Sequence, residues 1–234
     1  MGLREKQTTE RCERILEAAR ELIRATGTSF SMRTLAARAE VSLATPYNLF
    51  GSKSGVLYAL LNDSLERVDR ATDSFSSSRP VERVLEVAGI AADVYARDAA
   101  FYRPLMQFLL GVRDVDHRPR FLSQSLHRWK RTVQAAIRQR LIGESVDAEL
   151  LARQLMINFI GGLELWIHEE LDDEAFRAQS LYGSTLLVLA YAEPASRPRL
   201  VERLGAIERR LPRMLARPFL DPPTSRVKKR RRAA

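Results

Sequence analysis

Apolar residues recur three and four positions apart along almost the whole chain, and no stretch alternates apolar with polar in the two-residue period of a strand. A chain patterned in this way buries its apolar surface by packing helix on helix, so the expected fold is all-α. The spacing predicts helices over about 9–26, 32–39, 43–50, 53–74, 81–98, 100–110, 118–141, 147–171, 174–192 and 199–215. The first shows the pattern plainly: Cys12, Ile15, Leu16, Ala19, Leu22 and Ile23 share a face, with Thr8 or Thr9 placed to cap the start and Gly27 to end it. Cys12 reads as a small core residue, and as the only cysteine it rules out an internal disulfide or a cysteine-rich zinc site. At 234 residues and 45% hydrophobic content the chain can fill a real core. No run of about 18 apolar residues suggests a membrane span, and the first fifteen residues lack the apolar centre of a signal peptide. A cytoplasmic location with no membrane partner is the expectation.

Two late segments constrain the assembly. LMINFIGGLELWI, 155–167, and LYGSTLLVLAY, 181–191, are apolar on nearly every face. A helix of that kind is covered on two sides, and a second copy of the chain supplies the extra cover most simply. Leu155, Gly161, Gly162, Leu163 and Leu187 are the candidate interface residues, the glycines allowing close backbone approach. The alternative is a monomeric core with a kink at the glycine pair.

The chemistry is concentrated in SMRTLAARAEVSLATPYNLFGSKSGVLYALL, 31–61. Ser31 can cap a short helix whose inner face is Met32, Leu35, Ala36 and Ala39. Glu40 and Val41 make a tight turn, and Ser42 can cap a second short helix in which Leu49 and Phe50 look inward. Two short helices joined by such a turn form a helix-turn-helix, whose second helix fits the DNA major groove. Thr45, Tyr47 and Asn48 face outward, as short or planar groups suited to base edges and phosphates, and Arg33 and Thr34 stand where phosphates lie. Lys53 follows the capping Ser52 in the first turn of a further helix. A free cation there opposes the helix dipole, and a phosphate at that N-terminus would resolve the conflict. Pro46 is compatible with either of two starts: Ser42 as cap, which removes the first backbone bond, or Thr45 as cap with a one-turn helix.

Residues from about 15 to 61 thereby resemble the DNA-binding region of TetR-type (TetR/AcrR) bacterial transcriptional regulators. The resemblance rests on Ala18-Ala19, Leu22, Gly27, Ser31, Leu35-Ala36, Ala39, Val41-Ser42, Tyr47, Leu49-Phe50, Ser52-Lys53 and Leu57. It implies a homodimer, a double-stranded DNA operator and a small-molecule effector, with Tyr47 and Lys53 on phosphates and the segment holding Ser42, Ala44, Thr45 and Asn48 in the groove. Three positions depart from the family pattern: Glu40 where glycine is usual at the turn, Gly55 where a helix former is preferred, and Pro46 inside the reading helix.

The expected domains are 1–55 for DNA binding, 56–217 for effector binding and dimerisation, and a disordered basic tail at 218–234. Six of the nine net positive charges sit in the tail's last eleven residues, while residues 1–80 carry twelve basic and ten acidic side chains. The tail either adds sequence-independent attraction to DNA or stands in solvent. Aromatic and sulfur side chains between Tyr95 and Trp166 are candidates for the effector cavity: Tyr95, Phe101, Tyr102, Met106, Phe108, Phe121, Trp129, Met156, Phe159 and Trp166. Asn158 and Glu164, polar within an apolar helix, are candidate anchors. Glu164 and His168, spaced i, i+4, are too few for a metal site, and no cofactor is expected. No Gly-rich phosphate loop or G-x-S-x-G motif points to an enzyme. The leading expectation is a repressor released from its operator by a small, largely apolar ligand. The competing one is a ligand-independent DNA-organising protein that relies on its tail.

Overall fold

The computed structural model describes residues 2–76, 83–211 and 215, and the side chains of all of these except 3, 4, 75 and 76. The basic tail expected at 218–234 lies outside the described residues. The elements are α1 (Leu3–Thr26), a single 3-10 turn (Gly27–Ser29), α2 (Met32–Arg38), α3 (Ala44–Phe50), α4 (Lys53–Ser76), α5 (Arg83–Ala96), α6 (Ala99–Gly111), α7 (Arg118–Arg138), α8 (Ala148–Ile167), α9 (Asp173–Leu189) and α10 (Arg197–Glu208). The fold is all-α; among the described residues the only β pairing is a lone bridge between Ile142 and Ala192, which ties the loop after α7 to the loop after α9.

Helix α1 starts six residues before its expected cap. The run Leu-Arg-Glu-Lys-Gln is made of good helix formers, and the Glu5 carboxylate accepts the Gly2 amide at 2.7 Å. Thr9 therefore lies inside the helix, where its hydroxyl donates to the Glu5 carbonyl at 3.0 Å instead of capping. Gly27 ends α1 at φ 66°. Cys12 is half-buried, and burial, then Glu13, push its thiol above the ordinary range. Ile15, Ala19, Ile23, Phe30, Met32, Leu35 and Ala39 are buried, with Leu49 and Phe50 of α3 packed against the same core, so α1, α2 and α3 form a small head whose core continues into the body.

Helices α2, α7 and α8 stop by one device. After each, the chain reverses at a residue with positive φ: Glu40 (53°), Arg140 (54°) and Glu169 (61°). The amide of that residue bonds back three positions and the next amide five, as in Val41 to Ala36 at 3.0 Å, Leu141 to Ala136 at 3.0 Å and Glu170 to Leu165 at 2.9 Å. This is the Schellman reversal, usually built on glycine. With no glycine at 140 or 169 the sequence carries no stop signal, so the expected ends at 141 and 171 overran the observed Arg138 and Ile167. Left-handed geometry at Glu40 costs about 1 kcal/mol, and its acidic side chain faces the negative end of α2. Glu40→Gly is accordingly expected to raise stability by about 0.5–1 kcal/mol, read as a higher urea midpoint at unchanged slope; a midpoint that does not rise would contradict it.

The body is layered around α5, whose Val84, Leu85, Ala88, Ala91, Ala92 and Tyr95 are buried between α9, α4 and α7. Helix α8 is long and apolar enough by composition to cross a bilayer. It packs here as a core helix between α7 and α9, with Leu151, Leu155, Phe159, Leu163 and Trp166 buried. Helix α4 belongs to both parts. Its first turns close the head, its later turns face α5 and α7, and the expected 55/56 boundary falls inside it. Head and body are also clamped at α1: Arg24 donates to the Asp98 carboxylate at 2.8 Å and lies over the Phe101 ring at 5.7 Å. Arg20 reaches Asp63 on α4 at 2.9 Å. Burial alone would raise the Asp63 carboxyl, but Arg67 and Arg20 outweigh it and hold the group below its usual range.

Candidate nucleic-acid interface and effector cavity

Helix α3 shows how a seven-residue helix can be both anchored and exposed. Pro46 is buried and Leu49 and Phe50 are partly buried at i, i+3 and i+4, while Ala44, Tyr47 and Asn48 at the same spacing face solvent. Tyr47 is 47% exposed and Leu43 44%. Neither expected start of this helix is the observed one. Leu43 takes the cap position, with no side-chain cap bond, and Pro46 is the third helical residue. No intrahelical amide bond exists at that position, so the proline forfeits nothing and its ring serves as an apolar anchor. The Ser42 hydroxyl pairs with that of Thr45 at 2.8 Å rather than with a backbone amide. Ser31 does cap α2, accepting the Thr34 amide at 3.0 Å and pairing with its hydroxyl at 2.8 Å. Arg33 and Thr34 are exposed beside it. Ser31, Arg33, Thr34, Ser42, Ala44, Tyr47 and Asn48 are thus all solvent-facing, with Thr45 half-buried at the edge.

Lys53 differs from expectation. Its ammonium is not free: it donates to the Phe30 carbonyl at 3.2 Å and sits 5.4 Å from the Phe30 ring centre, which offsets its position at the α4 N-terminus. The link also ties α4 to the start of α2. Gly55, the second departure from the family pattern, has a local reason. A Cβ there would lie 1.9 Å from the Phe50 carbonyl oxygen, so the α3–α4 joint closes only on glycine. Neither feature was visible in the sequence, because each depends on a backbone carbonyl of another element.

In the body, an apolar cavity of about 70 Å³ lies between α4, α5, α6, α7 and α8. Of the sequence candidates, Tyr95, Met106, Phe121, Trp129, Met156 and Phe159 line it. Tyr102 does not; its ring is held between those of Tyr95 and Phe101, each 4.8 Å away. Trp166 stacks on Phe176 at 5.4 Å and donates to Asp173 at 2.7 Å, away from the cavity. Asn158 and Glu164 do not line the cavity either. The cavity face of α8 is Met156, Phe159, Ile160 and Leu163, and Asn158 and Glu164 fall on other faces. Asn158 turns toward α9, where a Cβ on Gly183 would meet its amide oxygen at 2.0 Å. Glu164 is exposed, 3.3 Å from His168. The polar cavity residues are instead Asp69, Ser125 and Arg128, with Arg128 donating to Asp69 at 2.8 Å. These two lie 59 positions apart and read in sequence as unrelated surface charges. Burial raises the Tyr95 phenol, which stays neutral. Among the described residues no three His, Cys, Asp or Glu side chains are placed to hold a metal ion.

The residues expected at a dimer interface separate. Leu155 and Leu163 are buried within the chain, Leu163 against the cavity. Gly162 meets Phe176 of α9, at 3.4 Å from a would-be Cβ, whereas Gly161 faces open space and Leu187 is half-buried. The apolar side chains left exposed on α8 and α9 are Leu150, Ile157 and Leu186. Helical period identified a helix apolar all round; it could not tell which stripe the chain covers itself.

Residues 15–60 match the family model described as bacterial regulatory proteins, tetR family. No curated protein matches the chain. Among solved structures, the fold is similar to SmeT, the repressor of the Stenotrophomonas maltophilia multidrug efflux pump SmeDEF, at TM-score 0.62 and 22% identity over 79% of this chain and 92% of that one. It is similar to the transcriptional regulator FadR from Bacillus subtilis in complex with stearoyl-CoA, at TM-score 0.62 and 20% identity over 75% and 97%. The tetR regulator TylP from Streptomyces fradiae aligns at TM-score 0.61 and 17% identity over 89% and 99%.

Proposed function

We propose that this chain, which carries the DNA-binding domain of tetR-family bacterial regulatory proteins on the helical fold those regulators share, is a dimeric repressor that leaves its operator when a small apolar-bodied ligand enters the body. The carrying observation is α3: a helix pinned by Pro46, Leu49 and Phe50 that turns Ala44, Tyr47 and Asn48 to solvent beside the exposed Ser31, Arg33 and Thr34. In this reading α3 enters the major groove. Asn48 and Thr45 meet base edges, while Tyr47 and Lys53 position the head on phosphates. A second copy packs against the α8–α9 face that holds Ile157 and Leu186.

Ligand and DNA are coupled through α4. Leu65, Val68 and Asp69 of this helix line the cavity, and its Tyr58 meets the cavity residue Phe121 edge-on, ring centres 6.2 Å apart. At about 70 Å³ the cavity holds two or three waters' worth of space, far below the roughly 300 Å³ of the smallest drug-sized pockets. A ligand therefore enters by moving walls, with the flexible Met106 and Met156 yielding first. Binding and displacement of α4 are then one event, which gives the ligand its preference for the DNA-released state.

The test is titration against duplexes that the wild-type protein selects from a random pool, and against scrambled versions of them. Tyr47→Ala and Lys53→Ala are expected to weaken both duplex types alike. Asn48→Ala is expected to cost about 1–3 kcal/mol on the selected duplex and little on the scrambled one. Unchanged binding by both Tyr47→Ala and Lys53→Ala would refute this placement of the head.

A further inference from the structure

The cavity adjoins a charged cleft. Asp69, Val87 and Arg128 line both, so the Asp69–Arg128 pair stands between an apolar chamber and a cleft of about 280 Å³. Among the described residues four arginines line that cleft, Arg83, Arg128, Arg131 and Arg138, against two carboxylates, Asp69 and Asp73. Asp73 is taken by Arg83, and Asp69 is shared by Arg128 at 2.8 Å and Arg131 at 3.5 Å. Arg138 has no ion pair among the described residues and stands in the last turn of α7, seven positions after Arg131 and on the same side of the helix. Among the described residues the cleft thus holds a surplus of two positive charges beside a low-dielectric chamber. Such a concavity concentrates anions, and guanidinium forks match carboxylate and phosphate oxygens.

Resting on the effector reading above, we propose that the ligand is an amphipathic anion: an apolar chain that fills the chamber between Phe121, Trp129 and Phe159, and an anionic head held in the cleft by Arg131 and Arg138. A lipophilic cation is disfavoured by the same geometry. The one carboxylate at the chamber, Asp69, already serves two guanidiniums, and a cationic head would meet the surplus charge. A neutral head leaves the arginines with nothing to gain. The head could be a free carboxylate or the phosphates of an activated ester, since both present the same acceptor oxygens.

Trp129 lines the chamber and reports occupancy by its fluorescence. The full-length protein is titrated with decanoate, decanol and decylammonium, each below its micelle concentration, and with decanoyl-CoA. Decanoate or decanoyl-CoA is expected to bind at least about tenfold more tightly than the alcohol and more tightly still than the amine; which of the two is tighter identifies the head. Arg131→Gln with Arg138→Gln changes exposed side chains only, so the protein folds. This double variant is expected to bring decanoate down to the affinity of decanol while leaving decanol unchanged. Equal binding of acid and alcohol, tightest binding of the amine, or a double variant with wild-type decanoate affinity would overturn the anionic head and leave the cavity reading standing. Failure of all four probes to perturb Trp129 would overturn both.

Discussion

With glutamate in place of Ile157, the protein is expected to stay folded, sediment as a 26.6 kDa monomer, and lose at least about a hundredfold in affinity for a two-half-site operator. Ile157 is 51% exposed on α8, so a charge there costs the isolated chain little. Against the same face of a second copy it would be buried without a partner, which is strongly unfavourable. Leu186→Glu on α9, at 41% exposure, should act in the same direction. Leu163→Lys should behave differently: Leu163 is buried beside the cavity, and a charge there unfolds the body rather than parting two bodies. Sedimentation equilibrium and gel shift on the same samples separate these results. An Ile157→Glu protein that remains dimeric would show that another surface joins the copies.

The largest loss of stability is expected from Trp166→Ala. Trp166 is fully buried, stacked on Phe176, bonded through Nε1 to Asp173 and covered by the Arg103 guanidinium 4.9 Å from its ring. Removing it deletes a large apolar side chain, removes the hydrogen bond to Asp173 and leaves a void where α8 meets α9. The cost is about 3–5 kcal/mol, which for a chain of this size lowers the melting temperature by about 6–20 °C. Trp166→Phe, which keeps most of the volume and loses the Asp173 bond, should fall between. Because Trp166 does not line the cavity, ligand affinity of the surviving folded protein should change far less than stability. A melting temperature within about 2 °C of wild type would mean that the α8–α9 seam is not built as described.

Periodicity and capping chemistry were enough to recover the helices and the head. Ser31, Gly27 and the inner row Met32, Leu35, Ala36 and Ala39 stand where local rules put them. The errors cluster where a residue's neighbour comes from elsewhere in the chain. Asn158 and Glu164 were chosen because polar groups in an apolar helix must find partners. In the fold, however, Asn158 lies against Gly183 of α9 with its amide nitrogen buried and unbonded, and Glu164 stands in solvent beside His168. The polar groups at the chamber, Asp69 and Arg128, looked like ordinary surface charges until the fold set α4 against α7. Helix ends were missed at Arg140 and Glu169 because the left-handed turn there is closed by backbone bonds on a non-glycine residue, without the glycine that would advertise it.

The closed joint at Gly55 sets the gearing of the proposed switch. The Phe50 carbonyl fills the space above Gly55, the Ser52 hydroxyl accepts the Gly55 amide at 3.1 Å, and Lys53 is tied to Phe30. Little slack remains between α3 and α4, so a tilt of α4 reaches the reading helix undamped. The chamber residues Leu65, Val68 and Asp69 lie about 18–24 Å along α4 from Lys53, so a tilt of about 5° at the chamber sweeps the head end through about 2 Å. Two heads moving in mirror fashion would change their separation by about 4 Å, close to one base-pair step of 3.4 Å. Half-sites one helical turn apart tolerate no such phase error. In the proposed switch a tilt of α4 by a few degrees at the chamber therefore suffices to move the heads out of phase with every helix intact.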